Sequence, residues 1–110
     1  MKRGEIWWVN FDPSIGSEIR KTRPAVIVSN DTSNQFSKRL QVIPATSNTD
    51  KLYPPECYVQ IKGKTSKIMA DQIMTVSKER LYSRIGKVTD EELAEIERVI
   101  CLQLALIKPS

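Results

Sequence analysis

Short apolar runs separated by polar segments dominate this sequence, and that pattern predicts a protein built mainly from β-strands. Four runs rich in β-branched and aromatic residues are predicted as strands: 5–11, 25–28, 40–46 and 57–61. The run 67–76 has no clean period, so we expect one or two further strands there. The polar segments between the early runs are predicted as loops: 14–22, 32–39 and 47–55.

Prolines, a glycine and a serine mark where the predicted strands are interrupted. Arg23-Pro24 opens the second strand, and Pro44 within the third indicates a bulge or an edge, because proline cannot donate to a strand ladder. Lys62-Gly63-Lys64 is predicted to turn the chain. The segment 77–81 is predicted as a single helical turn with Ser77 as its cap.

The carboxy-terminal segment carries the clearest helix signal. Thr89 and Glu92 have the spacing of a capping box, in which each side chain bonds the other residue's backbone. Apolar residues then recur at helical spacing: Leu93, Ile96, Ile100 and Leu104. Lys108-Pro109 is expected to end the helix. Five or six short strands and one terminal helix favour a small, mainly antiparallel barrel, because a parallel sheet would need crossover helices.

The length of 110 residues, or 12.5 kDa, fits one domain, predicted over residues 1–110. Hydrophobic residues at 40% and charged residues at 27% match ordinary globular usage. The longest apolar runs have four residues, far short of the ~20 that cross a bilayer. No apolar stretch follows the charged amino terminus as it does in a secretory signal. We therefore expect a cytoplasmic protein that does not associate with a membrane.

The charge is distributed unevenly along the chain. Residues 1–89 hold 15 basic and 8 acidic side chains, whereas residues 90–110 hold two basic and five acidic ones, for a net charge of +4. A basic body with an acidic tail favours a polyanionic partner on the face of the body. The alternative is an ordinary mixed surface, since the sequence pI of about 9.2 only reaches the lower limit typical of nucleic-acid binding.

Histidine is absent from the sequence, and this excludes several reaction classes. A Ser-His-Asp triad, a Cys-His pair, a histidine-containing zinc site and a paired-imidazole ribonuclease mechanism all require it. The two cysteines, Cys57 and Cys101, are predicted as semi-buried thiols, because a reducing cytoplasm disfavours their pairing. Any catalysis must therefore use other side chains.

Three polar clusters follow apolar strands, where a rigid scaffold often places functional loops. They are Gly16-Ser17-Glu18 with Lys21 and Arg23, then Thr46-Ser47-Asn48, and finally Asp71-Gln72. Arg23 is the strongest candidate, because a guanidinium held beside a proline can bind two phosphate oxygens. The alternatives are a surface cation or a partner for Glu18. Thr46 could donate its hydroxyl to the same phosphate, or it could be an ordinary strand residue.

Further side chains could contact bases. Gln72 could bond a base edge or merely satisfy the sheet. Four aromatic residues could stack on unpaired bases: Trp7, Trp8, Tyr53 and Tyr58. Because neighbouring residues of a strand point to opposite faces, one tryptophan is expected in the core and the other at an interface.

Several blocks, taken in their order and spacing, resemble the MazF/PemK family of toxins from bacterial toxin–antitoxin pairs. The blocks are Lys2-Arg3-Gly4-Glu5-Ile6-Trp7, Gly16-Ser17-Glu18, the run from Lys21 to Asp31, Ile43-Pro44-Ala45-Thr46-Ser47, Ala70-Asp71-Gln72-Ile73 and Lys78-Glu79-Arg80-Leu81. The match extends in register from residue 2 to the terminal helix.

This resemblance implies a small SH3-like antiparallel barrel of the CcdB/PemK type that assembles as a homodimer. It implies a ribosome-independent endoribonuclease, an mRNA interferase, that cuts single-stranded RNA at a short sequence and thereby inhibits translation and growth. It also implies a cognate antitoxin with a disordered, often acidic tail that fills the RNA groove. Operator DNA would be bound only through that antitoxin, and no cofactor is implied.

The resemblance assigns roles to particular residues. The implied catalytic pair is Arg23 and Thr46, and the implied RNA-binding residues are Ser17, Glu18, Lys21, Ser47, Asp71 and Gln72. No metal ligand is implied. Because RNA supplies its own nucleophile, the 2′-hydroxyl, the protein has only to align it and stabilise charge on the phosphoryl oxygens. Glu18 or an ordered water is the candidate for removing the 2′ proton.

Two other functions compete with this interpretation. A gyrase-poisoning toxin could use the same barrel, but its nearest examples end in apolar and aromatic residues, whereas this sequence ends in Lys108-Pro109-Ser110. A non-catalytic module could bind single-stranded nucleic acid through basic loops and exposed aromatics.

Overall fold

The computed structural model describes residues 1–11 and 22–106, and this part of the chain contains seven strands and two α-helices. The strands are β1 Glu5–Asn10, β2 Thr22–Ile27, β3 Arg39–Thr46, β4 Glu56–Ile61, β5 Lys64–Met69, β6 Met74–Ser77 and β7 Leu81–Lys87. The helices are α1 Asp31–Phe36 and α2 Asp90–Gln103, with 3-10 turns at Ala70–Gln72 and Lys78–Arg80.

All strand pairs are antiparallel, and the sheet curls around β3. The strand order is β4-β5-β3-β2-β1-β7, while β6 pairs with β3 outside this order. Arg39 to Val42 of β3 pair with β6, whereas Ala45 and Thr46 pair with β5. The two ends of β3 thus pair with different strands, and the sheet curls into a half-barrel. The predicted antiparallel class with a carboxy-terminal helix is confirmed.

Pro44 lies where β3 exchanges one partner strand for another. It is opposite Ala25 of β2 on one side. On the other side β6 pairs with β3 only as far as Val42, and β5 begins its pairing at Ala45. A residue without a backbone N–H is tolerated at such a local edge. The predicted interruption at Pro44 is therefore the point where the sheet bends.

Buried side chains form two hydrophobic clusters on the two faces of the sheet. Along β2, Val26 enters one cluster while Ala25 and Ile27 enter the other. Both faces of this strand are therefore covered, which explains its unbroken apolar run. The first cluster also contains Ile96 and Val99 of α2, so the helix covers one face of the sheet.

The helix α2 begins as predicted and ends earlier than predicted. The capping box of Thr89 and Glu92 is present. The helix ends at Gln103 rather than at Lys108-Pro109, because Ala105 adopts a left-handed φ of 58° and Leu106 N donates to Cys101 O at 2.8 Å. This is a Schellman ending. Within residues 1–11 and 22–106, no helix is long and apolar enough to cross a membrane.

Leu104, predicted as part of the apolar helix face, instead caps the helix and is exposed. Leu104 still fits the 3.6-residue period of the apolar positions, but the helix has already ended at Gln103. The predicted turn after Ser77 is confirmed, since its side chain accepts a hydrogen bond from Glu79 N at 3.3 Å.

Two elements differ from the sequence prediction. The segment 32–39 was expected to be a loop, but α1 occupies most of it: Asn30 caps it by accepting from Ser33 N at 2.8 Å, and the buried Asn34 side chain bonds Ser29 O at 2.9 Å. A helix held by polar bonds leaves no apolar period in the sequence.

The strand β7 was also not predicted, and it makes seven strands rather than five or six. It is the edge strand beside β1, and its register against β1 shifts twice. Such irregularities break the alternation by which a strand is recognised from its sequence.

Candidate functional site

The strand pair β2–β3 brings Arg23 and Thr46 to the same end of the sheet. The last paired residues at this end are Ala25 and Pro44. Arg23 lies two residues before Ala25, and Thr46 lies two residues beyond Pro44, so the antiparallel arrangement places both just past the pairing. Both are half-buried and line one cleft of about 520 Å³.

This cleft, the Thr46 cleft, combines an apolar wall with hydroxyl groups and cations. The apolar wall consists of Trp8, Pro24, Ala45, Ile61 and Ile85. The hydroxyl groups belong to Thr22, Thr46, Ser47 and Ser66, and the cations are Arg23, Lys62 and Lys64. Among these lining residues there is no carboxylate. The described part of the cleft is therefore suited to an anion that also carries an apolar surface.

A second cleft, the Gln72 cleft, also borders Arg23. Its volume is about 400 Å³, and it is lined by Phe11, Arg23, Pro44, Gln72 and Met74. Because Arg23 lines both clefts, a chain-like ligand bound at its guanidinium can extend into each of them. Gln72 is exposed, and its amide lies 3.5 Å from Met69 Sδ. An exposed amide can exchange that weak contact for a bond to a ligand.

The Thr46 hydroxyl accepts one hydrogen bond and has a proton left to donate. The backbone N–H of Asn48 donates to Thr46 Oγ1 at 3.2 Å. This bond orients the side chain at the start of the loop while using it as an acceptor only. Ser47, the next residue, is exposed and lines the same cleft.

A buried ion pair between β4 and β5 holds the loop that follows Thr46. Lys67, opposite Thr46 in β5, places Nζ 3.0 Å from Glu56 Oε1, and both side chains are 9% exposed. Lys67 Nζ also donates to Lys51 O at 2.6 Å and lies 5.4 Å from the Tyr53 ring centroid. Glu56 Oε1 accepts from Tyr53 N at 2.8 Å. The two charges thus fix the loop against the sheet.

The predicted site residues fall into three groups. Arg23, Thr46 and Ser47 share the Thr46 cleft, and Gln72 shares the second cleft with Arg23. Asp71 is exposed on the same 3-10 turn as Gln72 but lines neither cleft. The remaining three, Ser17, Glu18 and Lys21, lie outside the described residues.

The two adjacent tryptophans separate as the strand geometry predicts. Trp7 packs against the second hydrophobic cluster and donates from Nε1 to Glu5 Oε1 at 3.0 Å, whereas Trp8 lines the Thr46 cleft. Tyr53 and Tyr58 are exposed but line neither cleft. Trp8 is therefore the aromatic side chain that shares the Thr46 cleft with Arg23, while Phe11 shares the Gln72 cleft with it.

Lys62 and Lys64 line the Thr46 cleft, although the sequence did not identify them as candidates. The sequence predicted only that they turn the chain, and the turn is confirmed between β4 and β5. Their place beside Arg23 follows from the curl of the sheet, which no local pattern encodes. The available signal was two closely spaced cations in the basic part of the chain.

Cysteine chemistry is separate from the clefts. Cys57 and Cys101 are free, and burial raises the pKa of the Cys57 thiol to about 11. A thiol with so high a pKa is neutral near pH 7 and a poor nucleophile. Within the described residues, no three histidine, cysteine, aspartate or glutamate side chains are grouped to hold a metal ion.

The sequence of this chain is similar to known proteins along nearly its whole length. The profile of the family described as PemK-like, MazF-like toxin of type II toxin-antitoxin system matches residues 2–104. Endoribonuclease MazF9 from Mycobacterium tuberculosis (strain ATCC 25618 / H37Rv) is 42% identical over 117 residues, covering 96% of this chain and 98% of that protein. Endoribonuclease EndoA from Bacillus subtilis (strain 168) is 32% identical over 113 residues, covering 97% of each.

Solved structures share the fold along nearly the whole chain. An endoribonuclease from a mycobacterial species, solved in complex with its cognate antitoxin, superposes with a TM-score of 0.84 at 23% identity, covering 99% of each chain. MazF (Form-I) from Deinococcus radiodurans superposes with a TM-score of 0.80 at 25% identity, covering 96% of each chain.

Proposed function

The chain belongs to the family of PemK-like, MazF-like toxins of type II toxin–antitoxin systems, and from this premise we propose that it is an endoribonuclease, neutralised by a cognate antitoxin, that cleaves single-stranded RNA. Two relatives that align with nearly the whole chain are named endoribonucleases. Their names favour RNA cleavage over gyrase poisoning as the activity of this chain. The observation that carries the proposal is the meeting of Arg23 and Thr46 in a cleft whose described lining holds no carboxylate.

The reaction uses a nucleophile that RNA carries itself. The 2′-oxygen attacks the adjacent phosphorus, the bond from phosphorus to the 5′-oxygen breaks, and the 2′ proton is removed while the departing oxygen gains one. The products are a 2′,3′-cyclic phosphate, which can open, and a 5′-hydroxyl. No protein nucleophile is needed, which agrees with a chain that lacks histidine and whose buried Cys57 is neutral.

In this reaction Arg23 is the electrostatic catalyst. Charge grows on the phosphoryl oxygens as the pentacoordinate phosphorane forms, and a guanidinium can donate two parallel charge-assisted bonds to them. Thr46 adds one donor from the same cleft, with its side chain oriented by Asn48 N. Ser47 and Gln72 contact the RNA on the two sides of Arg23, as do Ser17, Glu18, Lys21 and Asp71 in the family pattern.

The partners follow from the same surface. A single domain over residues 1–110 offers a narrow platform, and a homodimer would extend the RNA groove across its two-fold axis. The antitoxin's acidic tail is attracted by the cations of the Thr46 cleft, and operator DNA is reached only through the antitoxin. We assign the protein to the cytoplasm, where its RNA substrate is. Sedimentation at micromolar concentration tests the dimer, and a 12.5 kDa species would contradict it.

A cleavage assay in EDTA tests the activity. The protein is mixed with single-stranded RNA and DNA of matched mixed sequence, and the ends of the fragments are mapped. The proposal expects RNA fragments with 5′-hydroxyl ends and intact DNA. Binding of both polymers without cleavage would support a non-catalytic binding module instead. Intact RNA together with arrested gyrase would support the gyrase poison.

A further inference from the structure

We propose that the hairpin turn Lys62-Gly63-Lys64 binds the RNA backbone next to the scissile phosphate, so that the strand leaves Arg23 through the Thr46 cleft. This inference rests on the proposed function, because it extends the path of the same substrate. It adds Lys62 and Lys64 to the RNA-binding surface, and it predicts which cleft the RNA follows on one side of Arg23.

The backbone of this turn forms a tight two-residue hairpin loop. Ile61 and Lys64 form the last pair of the β4–β5 ladder, which leaves only Lys62 and Gly63 as the loop. Their φ angles are 51° and 76°, the doubly left-handed form typical of a tight hairpin. This short turn brings the two lysines close together in the chain, and both side chains are exposed.

The two lysines are cations that form no ion pair with the carboxylates of the described residues. Within the part of the chain that the structure describes, neither forms an ion pair, and the lining of the Thr46 cleft includes no acidic residue. Lys67, within strand β5 of the same hairpin, by contrast pairs with Glu56 at 3.0 Å. An exposed, unneutralised ammonium group in a cleft is a phosphate-binding group.

The wall of the same cleft matches the other half of a nucleotide. Trp8, Ile61 and Ile85 contribute apolar surface to the cleft that the lysines and Arg23 also line. Unpaired bases stack on aromatic side chains while the adjacent phosphates follow cations. One nucleotide can therefore place its base against Trp8 and its phosphate at the hairpin turn. The Gln72 cleft receives the strand on the other side of Arg23.

The test compares two variants with the same change in charge. Lys62→Gln/Lys64→Gln removes the proposed contacts, and Lys38→Gln/Lys87→Gln removes two exposed lysines that line neither cleft. Each protein is titrated with the mapped RNA site carrying a 2′-O-methyl group at the attacking oxygen, which prevents cleavage. For one or two lost phosphate contacts, affinity at 0.1 M salt falls about 5- to 25-fold, and the slope of log affinity against log salt falls by about 0.7 to 1.4.

Shortening the RNA locates the contact. The same titration is repeated after removing nucleotides from one side of the cut site and then from the other. The wild type should lose affinity on both truncations, whereas Lys62→Gln/Lys64→Gln should be insensitive to one of them only. An equal loss in the control double variant, or the same sensitivity to both truncations as the wild type, would overturn the inference.

Cleavage of unmodified RNA by the wild type separates the two proposals. If the wild type cleaves and the truncations show no coupling to the hairpin lysines, the inference fails and the proposed function stands. If the wild type leaves every RNA intact, the proposed function itself fails, whatever the lysines bind. Circular dichroism of each variant shows whether it retains the fold.

Discussion

Two cations lie on the strands that pair with β3 beside Thr46, and their surroundings differ: Arg23 is on β2 and Lys67 is on β5. Lys67 is buried beneath the loop, where it contacts Glu56, the Lys51 carbonyl and the Tyr53 ring. Arg23 lines two open clefts whose described residues include no carboxylate. The same kind of charge therefore serves structure in one place and is available for a ligand in the other.

The difference follows from what each charge loses on burial. A buried ammonium group needs a full set of partners, because its desolvation costs several kcal/mol. Lys67 has those partners and none of them can be given up to a substrate. A half-buried cation at an open cleft, such as Arg23, keeps part of its hydration, so it can exchange water and counterions for a phosphate. The presence of a carboxylate partner, rather than the distance from Thr46, distinguishes the structural role of Lys67 from the proposed binding role of Arg23.

The largest expected effect comes from breaking the buried pair. Lys67→Met leaves Glu56 charged and buried without its partner, so the free energy of unfolding should fall by about 3–5 kcal/mol. Chemical denaturation measures this change. Lys67→Met/Glu56→Leu should recover most of the loss, because it removes both charges together. The matched control is Arg98→Met, whose exposed pair with Glu95 at 2.8 Å should contribute less than ~1 kcal/mol; an equal loss in the two single variants would refute the contrast.

The next effect concerns catalysis and leaves the fold intact. Arg23→Ala should lower kcat/KM for RNA by about 10²–10³, as when one transition-state donor is removed, while stability changes little. Arg39→Ala, exposed at the opposite end of β3, is the control and should cleave like the wild type. Steady-state cleavage of the mapped oligonucleotide measures both. An unchanged rate in Arg23→Ala would remove the proposed catalyst.

A smaller loss is expected at Thr46, because its hydroxyl is neutral. Thr46→Val keeps the shape of the side chain and removes one donor, which should cost about tenfold in kcat at ~1.4 kcal/mol. Thr46→Ser retains the hydroxyl and should retain most of the rate. Single-turnover cleavage distinguishes the chemical step from binding. A serine variant as slow as the valine variant would mean that packing, rather than hydrogen bonding, explains the effect.

The smallest effect is expected at a third ion pair, which is intermediate in burial. Glu5 Oε2 lies 3.2 Å from Arg84 Nε. Burial by itself would raise the pKa of Glu5, but hydrogen bonds from Trp7 and Lys2, with the charges of the amino terminus and Arg84, lower it overall. A carboxyl with a lowered folded pKa stabilises the protein above its unfolded pKa, and this contribution is lost as the pH falls through the folded value.

Glu5→Gln removes the titrating group in that pair. The variant should therefore lose less stability than the wild type when the pH falls from about 6 to about 3, by under ~1 kcal/mol. Urea denaturation across this range measures the difference. Parallel curves for the two proteins would show that the pair does not stabilise the fold.

The structural features that sequence analysis predicted correctly are those with local signals. The helix α2 was predicted from the spacing of Thr89 and Glu92, and both tryptophans were assigned to opposite faces from alternation alone. Arg23 and Thr46 were singled out by the apolar strands beside them, and the structure places both in one cleft, while their catalytic roles stay predictions. The elements that were missed, α1 and β7, lack such signals: one is held by polar bonds around Asn34, and the other is an irregular edge strand.

The sequence by itself determined the strands that form the inner sheet, the start of the terminal helix and the basic character of the body, since each depends on neighbours a few residues apart. Only the tertiary structure decided that Lys62 and Lys64 line the same cleft as Arg23 and that Lys67 pairs with Glu56. The curl of the sheet around β3 joins strands that are distant in sequence. The role of a lysine depends on which charged groups the curled sheet brings close to it. The residues next to a lysine in the sequence do not determine those groups.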